Sequence, residues 1–344
     1  MSSPAYTVDQ LRQRLGRLPR LHLAALPTPL DGLARFSEAL GGPHILMKRE
    51  DLTGLAMGGN KIREFEYSLA QGVADGCDVL VHGAAAQSNQ SRTTAAVAAK
   101  LGLRSLMVGR ADAHAHPQGN LLLSHLFGAE IHLPEEGQQR ATLERRMQEL
   151  RAEGHRPLNT STDGNEFRGI AYVDGFLELY EQLSECEVEP TAVYLCSGQH
   201  THAGMVVAAR ALGLSLRFVG ISPSPRDDAE AARAQLALGR RHCEILNIEV
   251  KLSEADFESS AAFVGENYGV ITEGSREAIQ LLARTEGLLL DPCYTGKAMS
   301  GLIAHIREGR WGRDDTVIFV HTGGTPALFA YSNELGLEFV EPNR

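Results

Sequence analysis

Chemistry in this chain begins with the lysine of "LTGLAMGGNKIREFEYSLAQGVADG", residues 52–76. Lys61 follows Gly58, Gly59 and Asn60 and falls in the first turn of an expected helix. A cation at a helix N-terminus opposes the macrodipole. That placement disfavours the ammonium form and supplies the neutral amine a Schiff base requires. The ordinary reading of a lone lysine is a solvated surface residue, and Lys297 in "DPCYTGK" invites the same reasoning. Position alone does not choose between the two lysines. Four further polar stretches, "HGAAAQSNQ", "CSGQHTHAG", "DPCYTGK" and "HTGGTP", carry hydroxyls, amides and a tyrosine. Each lies where a strand passes into a helix, so free backbone N–H groups accompany them. Such an array suits a small molecule bearing a phosphate and a carboxylate.

The elements that must position these groups alternate. Asn60 is read as the cap of a helix with Ile62, Phe65, Leu69 and Val73 on one face and Gly76 as its stop. "CDVLVHG", "RSLMV", "AEIHL", "AVYLC", "RFVGIS", "LLLDP" and "TVIFVHTGG" read as strands. Between them "TTAAVAAKLG", "NLLLSHLFG", "MVVAARALG", "SREAIQLLARTEG" and "CYTGKAMSGLIAHIREG" read as helices. Strands separated by helices predict an α/β fold with parallel sheets covered on both faces. In such sheets ligands bind beyond the carboxyl ends of the strands, where the four polar stretches fall. The residues before position 50 read as extended segments and turns, and "HRPLNTSTDGNEFRG", residues 155–169, reads as a boundary.

Composition narrows the class. The 344 residues are 43% hydrophobic and 22% charged, with a formal net charge of -10 and no basic run, which disfavours nucleic acid as a partner. Five scattered cysteines form no C-x-x-C pair, so neither a disulfide framework nor a zinc ribbon is expected. No signal-peptide core or membrane-spanning run is read, and a reducing cytoplasm is the expected compartment. G-x-G-x-x-G, the P-loop, G-x-S-x-G and H-E-x-x-H are all absent. The alternating histidines of "HAH" (114–116) and "HTH" (200–202) read as polar loop residues, and no metal site is expected.

"REDLTGLAMGGNKIREFE", "GAAAQSNQSRTTAAVAAKLGL", "YGVITEGSREAIQLLARTEGLLLDPCYTGKAMSGLI" and "HTGGTPALFAY" together resemble the pyridoxal-phosphate enzymes comprising D-cysteine desulfhydrase and 1-aminocyclopropane-1-carboxylate deaminase. The resemblance runs in order from about residue 25 to 335. It implies the fold type II architecture of the tryptophan synthase β-subunit, with two open, twisted, mostly parallel sheets flanked by helices. It implies a large cofactor-binding domain from residues 1–63 and 167–344, a smaller inserted domain over 64–166, and a homodimer. The cofactor it implies is pyridoxal 5'-phosphate, with Lys61 as Schiff-base lysine. Gly58 and Gly59 would let the backbone pass close to the ring. By the same resemblance Asn89 bonds the ring hydroxyl, while Ser88 and the amides of Asn89 and Gln90 hold the substrate carboxylate. Tyr268 and Tyr294 match active-site tyrosines. Asn60 and the run Gly198, Gln199, His200, Thr201, His202, Ala203 and Gly204 fall at the cofactor, the run as its phosphate cup.

Two positions separate the subfamilies. The deaminase carries Glu after the tyrosine of "DPxY" and Leu after the histidine of "HxGG", where this chain has Thr295 and Thr322. A glutamate beside the pyridine nitrogen keeps it protonated and makes the ring a strong electron sink. Opening a cyclopropane requires that sink; expelling a thiol requires it less, so a threonine hydroxyl suffices. The expected activity is therefore β-elimination, first of D-cysteine to pyruvate, hydrogen sulfide and ammonia. Cysteate or another β-substituted alanine is the alternative substrate, ring-opening deamination a further one, and binding without turnover the non-enzymatic reading. The cup departs from the family's "GSGGTHAG" at Gln199 and His200, and Ala86 replaces a common isoleucine. Cys293 reads as a buried, passive thiol.

Overall fold

The computed structural model describes residues 5–196 and 199–336. The chain opens with α1 (Val8–Leu15), β1 (Leu30–Gly32), α2 (Ala34–Leu40) and β2 (His44–Lys48). Helices α3 (Asn60–Ser68) and α4 (Ala70–Ala74) lead to β3 (Val79–Ala85), α5 (Asn89–Leu101) and β4 (Arg104–Arg110). Then come α6 (Gly119–Leu126), β5 (Glu130–His132), α7 (Gln139–Ala152) and β6 (Pro157–Asn159). The second half holds α8 (Ile170–Glu185), β7 (Ala192–Cys196), α9 (His200–Ala211), β8 (Arg217–Ile221) and α10 (Asp228–Leu246). It closes with β9 (Glu258–Ser260), α11 (Glu273–Glu286), α12 (Thr295–Arg307) and β10 (Thr316–Val320).

These strands form two sheets. One has the order β1-β2-β10-β7-β8-β9 and is parallel except for β1, which runs antiparallel to β2. The other, β5-β4-β3-β6, is parallel throughout, and all its strands fall in the chain between β2 and β7. The near-continuous apolar runs of β7 and β10 are buried because helices cover both faces. On one face α1, α8, α9 and α10 pack over Val193, Leu195 and Ile318. On the other, α2, α11 and α12 pack over Tyr194, Val317 and Phe319. The fold class is thus as expected from the alternation of periods.

Two expectations need correction. "LLLDP" is not a strand: Leu289 gives its carbonyl to His321 Nε2 at 2.9 Å and Asp291 gives its own to the Gly296 N–H at 2.8 Å, so this backbone bonds to a side chain and to the first turn of α12 rather than to a ladder. The residues before 50, read as extended segments and turns, supply β1 and β2 to the larger sheet but also form the helices α1 and α2. Helix α3 touches both halves: its Phe65 packs against the smaller sheet while Tyr67 joins the larger core.

Helix α3 carries Lys61, and its neighbour Arg63 ties it down. The fully buried Arg63 guanidinium donates to both oxygens of Glu50, at 2.8 Å each, and to Glu178 at 3.1 and 3.2 Å. Lys48 Nζ reaches the same Glu178 at 2.5 Å. Burial opposes the Glu50 charge, yet the Arg63 guanidinium holds its carboxyl down at about 2. The pairing locks α3 to β2 and α8, so the site lysine rests on a rigid element.

Candidate active site

Lys61 is the second residue of α3 and half-buried. Gly58 and Gly59 before it have φ of 71° and 115°, a region where a side chain is strained. A Cβ on Gly58 would lie 1.8 Å from the Asp51 carbonyl, so no other residue fits there. Gly59, rather than Asn60, is the N-cap, and the Asn60 N–H donates to the Thr322 carbonyl at 3.0 Å. The lysine loop is thereby stitched to the loop after β10. Burial lowers the Lys61 amine below its ordinary value, as the helix-terminus argument anticipated in direction.

One neighbour has no counterpart in the sequence reading. Glu64, one turn on, receives Lys61 Nζ at 2.8 Å and the Arg168 guanidinium at 2.7 and 2.8 Å. Asn60 Nδ2 and Thr201 Oγ1 also point at it, at 3.2 and 3.3 Å. Burial opposes the charge, but Arg168 and then Lys61 hold the carboxyl down at about 2. Glu64 pulls the lysine toward its ammonium form while burial pulls the other way, and burial wins. The i,i+3 spacing of Lys61 and Glu64 was the available signal.

Helix α5 faces this group from the smaller sheet. Ser88 is its N-cap, accepting the Ser91 N–H at 3.3 Å, and it keeps a hydroxyl proton to donate. The Asn89 and Gln90 N–H groups are the first two of the helix and have no intrahelical acceptor. The Gln90 side chain is engaged elsewhere, bonding Thr160 O and Arg168 at 2.7 Å each, so only its main chain remains for a ligand. Arg92 Nη2 donates to Gly58 O at 2.8 Å and fastens α5 to the lysine loop.

Helix α9 supplies the second free N-terminus. Gln199 is its N-cap with φ 86° and ψ -74°, a strained conformation for any residue with a Cβ and the reason glycine suits this position. The His200, Thr201 and His202 N–H groups head the helix. Buried His200 Nδ1 has no partner among the described residues, and its neighbours in charge are Arg168, Glu64 and Lys61. Burial lowers that imidazole to about 4. Thr201 Oγ1 accepts Asn60 Nδ2 at 3.1 Å.

The rest of the proposed cup behaves otherwise. The His202 ring packs between Phe218 and Phe257 at 6.2 and 5.8 Å, inside the core, so its side chain does not face the site. The Ala203 N–H closes the first turn on Gln199 O, and a Cβ on Gly204 would meet the Gly169 carbonyl at 2.0 Å. Ala203 and Gly204 therefore serve helix packing. Gly198 lies outside the described residues.

Tyr268 and Tyr294 come together, hydroxyl to hydroxyl at 2.8 Å with rings edge to face at 5.6 Å. Burial raises both phenols, so both stay protonated. The Cys196 thiol at the end of β7 is an electrostatic neighbour of both Tyr294 and Lys61, which places them in one region. Lys297 is not the rival it resembled. Fully buried, it donates to the Asn267 carbonyl at 3.0 Å and holds the loop bearing Tyr268.

The two threonines diverge. Thr295 donates its hydroxyl proton to Asp291 Oδ1 at 2.7 Å and is fully buried, so that proton is not offered to a ring nitrogen. Asp291 also takes the N–H groups of Cys293, Tyr294 and Thr295 and organises the start of α12. The Thr322 hydroxyl has no partner among the described residues. Among those residues no group of three metal-ligating side chains occurs, and no helix is long and apolar enough to cross a membrane.

Two helix N-termini, an orphaned buried imidazole nitrogen, a glycine-only approach and a desolvated amine fit a phosphorylated aldehyde cofactor. Comparison with known proteins leads the same way. The model of a family described as pyridoxal-phosphate dependent enzyme matches residues 21–323. D-cysteine desulfhydrase of Klebsiella pneumoniae (strain 342) is 39% identical over 331 residues, covering 94% of this chain and 99% of that one. The Salmonella typhi D-cysteine desulfhydrase is 38% identical, with 92% and 97% covered. Among solved structures, an ACC deaminase homologue superposes with TM-score 0.83 at 29% identity, over 95% of this chain and 98% of its own. Diaminopropionate ammonia lyase from Escherichia coli shares the fold at TM-score 0.66 and 16% identity, over 98% of this chain and 95% of that one. The chain belongs to the pyridoxal-phosphate dependent enzymes.

Proposed function

We propose that this enzyme is a lyase that removes the β-substituent of a small amino acid, and that D-cysteine is its substrate, yielding pyruvate, hydrogen sulfide and ammonia. The observation that carries the reading is Lys61: a desolvated amine on a pinned helix, between two helix N-termini that accept anions. The near-complete match to D-cysteine desulfhydrases supplies the substrate.

In this reading Lys61 Nζ would hold the aldehyde carbon of pyridoxal phosphate, the start of α9 with Thr201 and His200 would hold its phosphate, Asn89 its ring hydroxyl and Thr322 its ring nitrogen. The cofactor supplies an electron sink conjugated with the substrate Cα. Ser88 and the Asn89 and Gln90 N–H groups orient the substrate carboxylate at the start of α5. The Lys61 amine would take the α-proton, with Ser88 Oγ as the alternative base; burial keeps the Tyr294 phenol protonated, which fits it to donate rather than accept. The Tyr268–Tyr294 pair keeps a phenolic proton available for the leaving sulfur. Lys61→Ala is expected to abolish turnover. Assays of D-cysteine, L-cysteine, cysteate, D-serine and 1-aminocyclopropane-1-carboxylate for pyruvate or 2-oxobutyrate decide the substrate. Hydrogen sulfide and pyruvate from D-cysteine support the reading; 2-oxobutyrate from the cyclopropane alone would overturn it.

We further propose a cytoplasmic homodimer with residues 64–166 as its smaller unit. Support comes from five free cysteines, which fit a reducing compartment, and from Met57, Leu122, Leu126 and Phe329, large apolar side chains left exposed.

A further inference from the structure

Resting on the cofactor reading above, we propose that Asn120 is a positioning residue: it fixes the Asn89 side-chain amide with its NH2 group toward the site, so that Asn89 donates to the cofactor's ring oxygen and favours the anionic form of that oxygen.

The orientation follows from acceptors that cannot donate. Gln87 Nε2 bonds the His114 and Gln118 carbonyls at 2.9 and 3.1 Å, so that end of Gln87 is its nitrogen. Gln87 Oε1 then accepts the Asn120 N–H at 2.9 Å. The Asn120 side chain faces the Gln87 carbonyl at 2.9 Å, which requires its NH2 group there. The same Nδ2 lies 2.8 Å from the Asn89 amide, so the Asn89 atom it meets is the oxygen. Asn89 Nδ2 is left on the other side with no partner among the described residues. The chain of assignments has one solution.

The surroundings keep it there. Asn120 is fully buried and packed by α5 against α6. Gly119 before it has φ 57°, and a Cβ there would come 2.6 Å from Gln87 Oε1 and 2.7 Å from Pro326 O. Only glycine allows the turn that delivers the Asn120 N–H to Gln87. A donor fixed in advance stabilises negative charge without reorganising. An asparagine free to turn over would offer its carbonyl half the time and repel that charge.

The test compares cofactor-loaded wild type, N120D, N120A and N89A by absorption spectrum across pH, cofactor dissociation constant and Tm. In N120D the new carboxylate can only accept, so Asn89 turns and presents its oxygen to the ring. At a given pH the visible band of the loaded protein is expected to weaken in favour of the near-ultraviolet band, because the ring oxygen loses the donor that favours its anionic form. N120A, which adds no charge, is expected to shift the same way by less, and N89A to reproduce the shift. Cofactor affinity is expected to fall about tenfold in N120D, the scale seen when ligand-orienting partners are lost at metal sites. A loaded N120D or N120A with the wild-type spectrum and only a lower Tm would overturn the proposal. Should N120D not fold, N120A decides by the same criterion. A wild type that takes up no cofactor refutes the functional reading and this proposal with it, whereas a loaded wild type with unshifted variants refutes this proposal alone.

Discussion

Single residues with similar sequence credentials have different roles here, and mutagenesis separates them. Thr295 and Thr322 both stand where the subfamilies differ, yet one hydroxyl bonds a buried carboxylate and the other has no partner among the described residues. Thr295→Val is expected to cost about 1–3 kcal/mol of stability by removing one hydrogen bond from the buried Asp291 carboxylate and leaving the Asp291 N–H without its acceptor, read as a lower denaturant midpoint. Thr322→Val should leave that midpoint unchanged and lower kcat. Glu64 offers a second contrast. Its carboxylate raises the Lys61 amine against burial. In Glu64→Gln the amine loses that support, so the pH profile of cofactor uptake is expected to move to lower pH. An unmoved profile would mean that the Lys61–Glu64 contact does not govern the amine. None of this was legible from residue types, because a hydroxyl's partner is set by tertiary packing. Lys61 itself was legible, since the two glycines and the helix start are local features.

At the scale of elements, the period of the apolar pattern located most helices and strands, and it erred where backbone groups bond outside regular ladders. "LLLDP" has the composition of a buried strand, but its carbonyls answer His321 and Gly296. The start of α9 was read as a departure from a small-residue cup, and the strain at Gln199 gives that reading a physical form. Gln199→Gly is expected to stabilise the protein by about 1 kcal/mol, measured by chemical denaturation. No gain would show that the neighbouring structure relaxes the strain. The pinning of α3 lay beyond any local pattern, for Arg63, Glu50 and Glu178 are far apart in the chain. Breaking it by Arg63→Ala is expected to cost about 3–5 kcal/mol, since two buried carboxylates lose their partner.

Across the whole molecule, four of the buried histidines have imidazoles lowered by burial. His82, His202 and His242 are lowered by burial to about 3, and His200 to about 4. The unfolded chain protonates them near pH 6.5, so between about pH 6.5 and 3 the unfolded state binds more protons. Stability therefore falls as the pH drops through that window, by at most about 1.4 kcal/mol per pH unit for each histidine. His202→Phe, which removes a titrating ring from between Phe218 and Phe257, is expected to flatten the decline of Tm over this range. The exposed side chains around Met57, Leu126 and Phe329 set a second expectation. Wild type should sediment as a dimer, and Leu126→Glu with Phe329→Glu as a monomer.

The covalent claim is tested most directly by loading the protein with pyridoxal phosphate, reducing it with borohydride and mapping the modified peptide by mass spectrometry. A single adduct on Lys61, absent from Lys61→Ala, is the expected result. An adduct on Lys297, or none on any lysine of a fully loaded protein, would contradict it.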